Sequence, residues 1–386
     1  MYNNKYGAHA QLRDLKHVTV YQPALIAYRS LFFGQLDRML AGELEVHAGI
    51  QSRESSVTTT DTSSNWLRVV DNCWLVGKRF LFQSGGLCRA IASQHLVLTL
   101  NPRFLHNWLL LVGRSIQGKP TIVWGHLYSR GGANSWTNCL RKLQICLSTG
   151  LIVYTETERE QFANSGIRRP CIALGNSCVR EVDCTPALNR NIMLPRGILY
   201  VGRLDRSKKV GILVAAYAKM IERFPHSHLV IVGDGEERAT LERQYQHLVG
   251  SGQLEFKGWI WDESQLRDCY ESALFTVSPG YGGLNIIQSM AHGVPIAVPR
   301  GENHSPEIEA CVDGFNCLWF DREDASSLAR VMCEFQQGAS NWYGWRSKIA
   351  EWTRSRYTIE RMVKQFTAML THVDESGDDK AFTGVI

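Results

Sequence analysis

A glycine-rich stretch could offer main-chain amides to an anion. Gly280, Gly282 and Gly283 lie between the apolar run 273–277 and the segment 284–292, whose apolar residues recur at helical spacing. The glycines therefore fall where a predicted buried strand becomes a helix. Glycine lets the main chain approach a ligand closely, and the first N–H groups of a helix have no partners within it. This stretch is typical of a diphosphate site, although tight turns in α/β domains have the same composition.

Two basic residues follow another predicted strand, 197–201. Arg203 and Lys208 are five positions apart in the next loop. Guanidinium and ammonium groups both bind phosphate oxygens, so this pair could hold a diphosphate from the side opposite the glycine amides. A solvated basic loop is the alternative interpretation.

The first half has polar side chains at equivalent places. Tyr28 and Arg29 open a predicted helix after the first strand, and His126 follows the predicted strand 121–124. Open parallel sheets bind ligands at the carboxyl ends of their strands. Tyr28 and Arg29 are therefore candidate ligand contacts, and His126 is a candidate polar contact or acid–base group. A packed Tyr, a surface Arg and a structural His remain the alternatives.

Alternating strands and helices must position these residues. A chain of 386 residues exceeds the roughly 250 to 300 residues at which single cores stop growing, so two domains are expected. Strand, helix and loop recur at βαβ length, which predicts an α/β fold with parallel sheets and helices on both faces. The predicted domains are 1–184 and 197–373, with a polar linker at 185–196 and a frayed tail at 374–386.

Composition indicates a cytoplasmic protein. Hydrophobic residues make up 44% and charged residues 20% of the chain. No apolar run approaches the ~20 residues of a membrane-spanning helix, and residues 1–5 do not resemble a signal peptide. The eleven cysteines form neither a Cys-x-x-Cys pair nor a Cys/His cluster at metal spacing, which favours free thiols and no metal site.

The net charge of +5 is unevenly shared, with +9 in residues 1–195 and −4 in the remainder. The basic half could face a membrane surface, a lipid-linked diphosphate or a nucleic acid, or could simply be a soluble surface. No nucleic-acid motif accompanies it, so no nucleic acid is expected as a partner.

An apolar helix at 104–112 could add a peripheral membrane contact at the inner face of the membrane. Its Trp and Leu residues lie near four basic residues, although a core helix has the same pattern. The four are Arg103, Arg114, Arg141 and Lys142.

Five motifs of the second half, in order, resemble family 4 of the retaining glycosyltransferases, which have the GT-B fold. They are Gly202-Arg203-Leu204 with Lys208, Val232-Gly233-Asp234-Gly235, Phe256-Lys257-Gly258, the stretch 278–295, and Pro306-Glu307-Ile308 with Asp313-Gly314. In the first half, Tyr28-Arg29, Trp124-Gly125-His126 and Tyr154-Thr155-Glu156 resemble the bacterial surface-polysaccharide branch of this family.

The resemblance implies two Rossmann-like domains facing across a cleft, with the C-terminal helix crossing back to the first domain. It implies a catalytic set of His126, Arg203 and Lys208, with Tyr28 and Arg29 on the acceptor side. The donor would be bound by the amides of Gly283 and Leu284, by the nucleobase segment from Gly258 to Ile260, and by Gly202, Gly233, Gly280, Gly282, Asn285 and Gln288.

Two positions depart from the family pattern. Gly280 and Gln288 stand where the family has two glutamates, beside the transferred sugar and at the ribose. Gln288 can still form hydrogen bonds with ribose hydroxyls, but a glycine can be neither nucleophile nor base. Retention would then require a front-face attack in which the departing phosphate takes the acceptor proton, and Arg203 and Lys208 stabilise its charge.

The resemblance thus predicts a metal-independent retaining glycosyltransferase of polysaccharide or lipopolysaccharide synthesis. Its partners would be a nucleotide-diphosphate sugar, used as co-substrate with no further cofactor, and a glycan or lipid-linked acceptor. Two alternatives remain open: a catalytically impaired nucleotide-sugar-binding or scaffold protein, and a sugar epimerase or phosphorylase on the same fold.

Overall fold

The chain consists of two compact units. The computed structural model describes residues 15–51, 59, 62–129, 132, 135, 137–188 and 195–375. The first unit comprises Met1–Gly175 and Ile359–Ile386, and the second comprises Asn176–Thr358. The predicted domains ended at residues 184 and 373. In the structure, the first stretch of the first unit ends at Gly175, and the last helix belongs to the first unit. Residues 189–194 of the predicted linker and 376–386 of the predicted tail lie outside the described residues.

The first unit is built on a seven-stranded parallel sheet in the order β3-β2-β1-β6-β7-β8-β9. Val20 of β1 lies beside Val46 of β2 and Val97 of β6. Strands buried on both faces are typically near-continuous apolar runs, as β7 and β8 are here. Its elements are β1 Val18–Gln22, α1 Ala27–Met39, β2 Leu44–Ala48, β3 Leu67–Val69, β4 Asn72–Leu75, β5 Phe80–Gln83, α2 Leu87–Ala92, β6 His95–Thr99, α3 Leu105–Ile116, β7 Thr121–Trp124, α4 Thr137–Leu147, β8 Gly150–Val153, α5 Glu156–Ala163 and β9 Cys171–Ala173.

The second unit is built on a six-stranded parallel sheet in the order β12-β11-β10-β13-β14-β15. Its elements are β10 Gly197–Val201, α6 Val210–Met220, β11 His228–Val232, α7 Arg238–Gln244, α8 Gln246–Gly250, β12 Leu254–Gly258, α9 Glu263–Ser272, β13 Ala273–Val277, α10 Leu284–Ala291, β14 Ile296–Arg300, β15 Cys317–Asp321, α11 Ala325–Gln337, α12 Ala339–Gly344 and α13 Arg346–Arg356. Short 3₁₀ helices at Glu181–Asp183, Arg206–Lys208 and Pro306–Ala310 complete it. The predicted α/β class with two parallel sheets is confirmed.

The last helix, α14 (Ile359–Glu375), packs on the first sheet as the resemblance predicted. Phe366 is fully buried there, and its ring lies 5.7 Å from that of Phe32 and 6.0 Å from that of Trp124. Apolar residues at helical spacing along α14 supply this buried face. The helix therefore contributes to the core beneath the carboxyl end of β7.

The first unit also contains a separate two-stranded sheet. β4 and β5 form an antiparallel hairpin outside the main sheet. In the second unit, Tyr245 separates the short helices α7 and α8.

Two of the four basic residues predicted to accompany a membrane contact of helix α3 are not available for it. Arg114 is fully buried, and its guanidinium donates to Thr121 Oγ1 and to five main-chain carbonyls, so it belongs to the core. Arg141 is also tied down, because its Nη1 donates to the carbonyls of Leu100 and His126. Of the four basic residues, Arg103 and Lys142 are exposed.

Among the residues that the structure describes, no helix has the length and hydropathy needed to cross a bilayer. In the same residues, no three His, Cys, Asp or Glu side chains are grouped so that they could hold a metal ion. The eleven cysteines are free thiols.

Candidate functional site

Three glycines bring the carboxyl ends of β10, β11 and β12 together in the second unit. The Gly202 amide donates to the Val232 carbonyl at 3.0 Å, and the Gly233 amide donates to the Gly258 carbonyl at 2.8 Å. At Gly233, φ is +127° and an added Cβ would lie 1.9 Å from the Gly202 carbonyl oxygen. Only glycine therefore permits this close approach of two strand ends.

A basic turn (residues 203–208) follows β10. Asp205 caps its 3₁₀ helix by accepting from the Ser207 amide at 3.0 Å, and its Oδ2 lies 3.5 Å from Arg203 Nη2. Burial opposes the ionisation of Asp205, but hydrogen bonds from Ser207 and the charge of Arg203 outweigh burial and lower its pKa. The Arg203 side chain is 60% exposed, so its guanidinium remains accessible to a ligand.

Lys208 connects the basic turn to the glycine loop (residues 278–283). Its Nζ donates to the Tyr281 carbonyl at 2.8 Å and lies 4.9 Å from the centroid of the Tyr281 ring. Burial lowers the pKa of Lys208, as does the charge of Arg203, whereas Asp205 and Glu307 raise it. The structure therefore brings the predicted cation and the predicted glycine loop together.

Gly280 is enclosed by the main chain of the basic turn. An added Cβ would lie 2.4 Å from the Ser207 carbonyl oxygen and 2.9 Å from that of Lys208. The Tyr281 amide donates to the same Ser207 carbonyl at 3.0 Å. The loop and the turn thus form one hydrogen-bonded layer, with no room for a side chain at Gly280.

At the start of helix α10, a side chain of the helix itself binds one of the main-chain amides. Asn285 Oδ1 accepts from the Gly283 amide at 3.0 Å, so one of the two amides predicted for the diphosphate already has a partner. Leu284 and Asn285 are the first residues of the helix, where amides have no partner within it. A phosphate oxygen at this tip would replace Asn285 Oδ1 at Gly283.

A histidine that the sequence analysis did not single out supports the glycine loop. His304 Nδ1 accepts from the Gly282 amide at 3.0 Å, and the Ser305 amide donates to the Gly282 carbonyl at 3.0 Å. Beside it, Glu307 is buried and accepts from Asn176 Nδ2 at 2.5 Å and from Ser305 Oγ. No local pattern marks His304, because its partner is 22 positions away in the sequence.

Of the residues predicted to contact the nucleobase and the ribose, Ile260 and Gln288 are both half-buried. Ile260 is half-buried and packs against the core cluster around Leu199 and Tyr270. Trp259 and Trp261 on either side are 50% and 88% exposed, and their rings are stacked with centroids 6.0 Å apart. Gln288 is half-buried on α10.

In the first unit, an aromatic–arginine cluster assembles at the carboxyl ends of β1, β7 and β8. Arg29 donates from Nη1 to Gln22 Oε1 at 3.0 Å and from Nη2 to Tyr154 Oη at 2.9 Å. Its guanidinium lies 4.7 Å from the Trp124 ring centroid and 5.9 Å from that of Tyr28. The cluster brings together residues that the sequence analysis named in three separate motifs.

His126 lies beside this cluster and is oriented by Glu158. The His126 and Tyr154 ring centroids are 4.7 Å apart, and His126 Nδ1 lies 3.1 Å from Glu158 Oε1. Glu158 also accepts from the amides of Leu127 at 2.9 Å and Tyr154 at 3.2 Å. Burial opposes its ionisation, but the bonds from His126 and these amides outweigh burial and lower its pKa.

An ionised Glu158 selects the His126 tautomer that carries hydrogen on Nδ1. The neutral ring then has a lone pair on Nε2, which can accept a proton or a hydrogen bond from a hydroxyl. Glu158 owes its position to helix α5, because the Thr155 side chain caps that helix by accepting from the Glu158 amide at 3.1 Å. The contact between Glu158 and His126 joins residues 32 positions apart, so no local pattern indicates it.

Part of the second unit is similar to known proteins. Residues 195–337 match the family model described as Glycosyl transferases group 1. The alpha-monoglucosyldiacylglycerol synthase of Acholeplasma laidlawii is 22% identical over 187 residues, which cover 47% of this chain and 45% of that protein. The lipopolysaccharide core biosynthesis glycosyltransferase LpsE of Rhizobium meliloti is 30% identical over 135 residues, which cover 35% and 38%. The chain therefore matches less than half the length of these relatives.

A solved structure is similar in fold to this chain across both of its units. HepE of Anabaena, solved in complex with UDP, has a TM-score of 0.67 to this chain at 12% identity, covering 92% of this chain and 100% of HepE. This likeness confirms the predicted GT-B fold. The residues that match the Glycosyl transferases group 1 model, 195–337, contain Lys208 and the glycine loop.

Proposed function

We propose that this protein transfers a sugar from a nucleotide-diphosphate donor to a glycan or lipid-linked acceptor. The observation that carries the proposal is the bond from Lys208 Nζ to the Tyr281 carbonyl, because it holds a cation against the loop that precedes a helix start. A cation and a helix N-terminus together favour a diphosphate. UDP in the related HepE supports a nucleotide donor.

The proposed reaction retains the configuration of the sugar and uses no metal. The acceptor oxygen attacks the anomeric carbon as the bond from that carbon to the β-phosphate oxygen breaks, and the acceptor proton passes to a phosphate oxygen. Arg203, Lys208 and the Leu284 amide would stabilise the charge on the leaving diphosphate. This route needs no protein nucleophile, so Gly280 does not prevent it.

The first unit would bind the acceptor. His126 and Arg29 lie at the carboxyl edge of its sheet, where parallel sheets bind ligands. His126 Nε2 would accept a hydrogen bond from a sugar or acceptor hydroxyl. The names of the relatives, a glycolipid synthase and a lipopolysaccharide core enzyme, support a saccharide or lipid-linked acceptor in polysaccharide or lipopolysaccharide synthesis.

Nucleoside diphosphate release is the test of this function. The purified protein would be incubated with UDP-, GDP- and dTDP-sugars, with and without candidate acceptors, and the anomeric configuration of the product would be determined by NMR. Acceptor-dependent release is expected for one donor. Tight nucleotide binding with no release from any pair would instead indicate the impaired binding protein.

A matched set of substitutions tests the basic turn. Replacing Lys208 or Arg203 by Ala should lower turnover about 10²-fold or more, which is typical of losing one group that stabilises the transition state. The control is Arg206→Ala, because Arg206 carries the same charge in the same turn and is 91% exposed. If the Lys208 and Arg203 variants match this control, the two residues have no part in the reaction.

A further inference from the structure

His304 forms two hydrogen bonds that require a single neutral tautomer. Its Nε2 lies 2.9 Å from the Pro299 carbonyl oxygen, and its Nδ1 accepts from the Gly282 amide at 3.0 Å. A carbonyl oxygen can only accept, so Nε2 must carry the hydrogen. Nδ1 then has the lone pair that the Gly282 amide needs.

The glycine loop is held from two sides. On one side, His304 and Ser305 bind the amide and the carbonyl of Gly282. On the other side, Lys208 Nζ and the Ser207 carbonyl bind the carbonyl and the amide of Tyr281. The three consecutive peptide units between Gly280 and Gly283 are therefore restrained immediately before the start of α10.

We propose that His304 is a positioning residue for the nucleotide donor. Its neutral ring holds the Gly282 peptide and thereby aims the amides at the start of α10 towards the diphosphate. The inference rests on the proposed function, since it assigns no chemistry of its own to His304. It gives a role to His304, a half-buried histidine beside the glycine loop that takes no direct part in the transfer reaction.

Protonation would remove this support. An imidazolium has no lone pair, so its Nδ1–H would face the Gly282 N–H. Burial lowers the pKa of His304, and the charges of Lys208 and Lys209 lower it further, while the Pro299 carbonyl and Glu302 oppose them. The bond to Gly282 is therefore intact above the ordinary histidine pKa of about 6.5, and is lost as the pH falls through the lower folded value.

The test compares two variants with the wild-type protein by calorimetric titration with UDP, GDP and dTDP between pH 5 and 8. In His304→Asn, the side-chain oxygen can accept from Gly282 and carries no titrating proton. In His304→Ala, the acceptor is absent. At pH 8 we expect Asn to bind nucleotide like the wild type, and Ala to bind about tenfold more weakly, the size of one hydrogen bond to a partly buried group.

The pH profile separates positioning from simple folding. As the pH falls from 6.5 through the lowered pKa of His304, the wild type should lose affinity relative to His304→Asn, because the asparagine oxygen can accept from Gly282 throughout this range. The control His226→Asn makes the same change at an exposed histidine of the same unit and should keep the wild-type profile.

Two outcomes would overturn the inference in different ways. Identical pH profiles for the wild type and His304→Asn, or wild-type affinity in His304→Ala at pH 8, would show that His304 does not position the loop. If the wild type bound none of the three nucleotides at any pH, the proposed function would fail and this inference with it.

Discussion

At Gly280 the main chain of the basic turn fills the space that a side chain would need. The Ser207 carbonyl lies 2.4 Å from the position of an added Cβ, so a glutamate there would require the turn to move. That turn carries Lys208, whose Nζ binds the next residue of the loop. The absence of the first family glutamate is thus built into the packing of the loop and is more than a change of one side chain.

Tyr281 in the glycine loop and Asn285 at the start of α10 supply an aromatic and a polar side chain. Asn285 Oδ1 occupies the Gly283 amide, and the Tyr281 ring is 41% exposed beside Lys208. A bound donor would therefore meet an amide and an aromatic ring where the family pattern supplies a carboxylate.

Glu158 provides a prediction at the same scale. Replacing Glu158 by Gln should lower turnover about tenfold, because His126 loses a charged partner worth roughly 1.5 to 3 kcal/mol and its tautomer is no longer selected. Turnover as a function of pH should be measured at saturating donor, alongside nucleotide affinity, which should not change. The control is Glu160→Gln, an exposed residue of the same helix. Equal turnover in the two variants would refute the orienting role.

At the scale of elements, helix α14 is decisive for the first unit. It returns from the end of the second unit and buries Met362, Val363, Phe366 and Leu370 in the first core. Phe366 contacts Trp124, two residues before His126, through rings 6.0 Å apart. The position of the β7 strand end therefore depends on a segment more than 200 residues away in the sequence.

Phe366→Ala should destabilise the first unit by about 3 to 5 kcal/mol, the usual cost of deleting a buried aromatic ring. Urea unfolding gives the free energy, and hydrogen exchange of peptides from β1 and β7 assigns the transition to the first unit. Lys364→Ala, an exposed position on the same helix, is the control and should have little effect. A loss below 1 kcal/mol for Phe366→Ala would mean that α14 is not essential to this core.

At the scale of the whole molecule, the first unit combines a net positive charge with exposed apolar side chains. The residues of the first unit, 1–175 and 359–386, carry a net charge of +7 from 22 Lys and Arg against 15 Asp and Glu. Helix α3 exposes Leu109, Val112 and Ile116 along one side, at 62%, 46% and 82%. Arg103 and Lys142 are exposed nearby. We propose that this surface makes a peripheral contact with anionic lipid, which would bring a lipid-linked acceptor to the first unit.

Vesicle flotation measures this contact. Binding to anionic vesicles should be strong at low salt and weak at 1 M salt, where the screening length falls to about 3 Å. Ile116→Ser should weaken binding roughly tenfold, as expected for one aliphatic side chain withdrawn from an apolar surface. Val182→Ser is the control, because Val182 is 71% exposed in the second unit. Failure of anionic vesicles to recruit the wild type at low salt would contradict the proposal.

The sequence by itself determined the features that depend on neighbouring residues. Apolar runs predicted the strands β7, β10 and β13, and the basic residues after β10 and the glycines after β13 predicted where a diphosphate could bind. The hairpin β4–β5 was not predicted, because its short strands have little continuous burial. Arg114 was predicted to lie near a membrane contact, but it is buried because its guanidinium binds carbonyls from two other segments.

Only the tertiary structure decided which of these residues meet. Lys208 contacts Tyr281 across 73 positions, His304 contacts Gly282 across 22, and Glu158 contacts His126 across 32. The helix α14 joins the first core although it follows the second unit in the chain. Such contacts join segments that are distant in sequence, so no local pattern of residues encodes them.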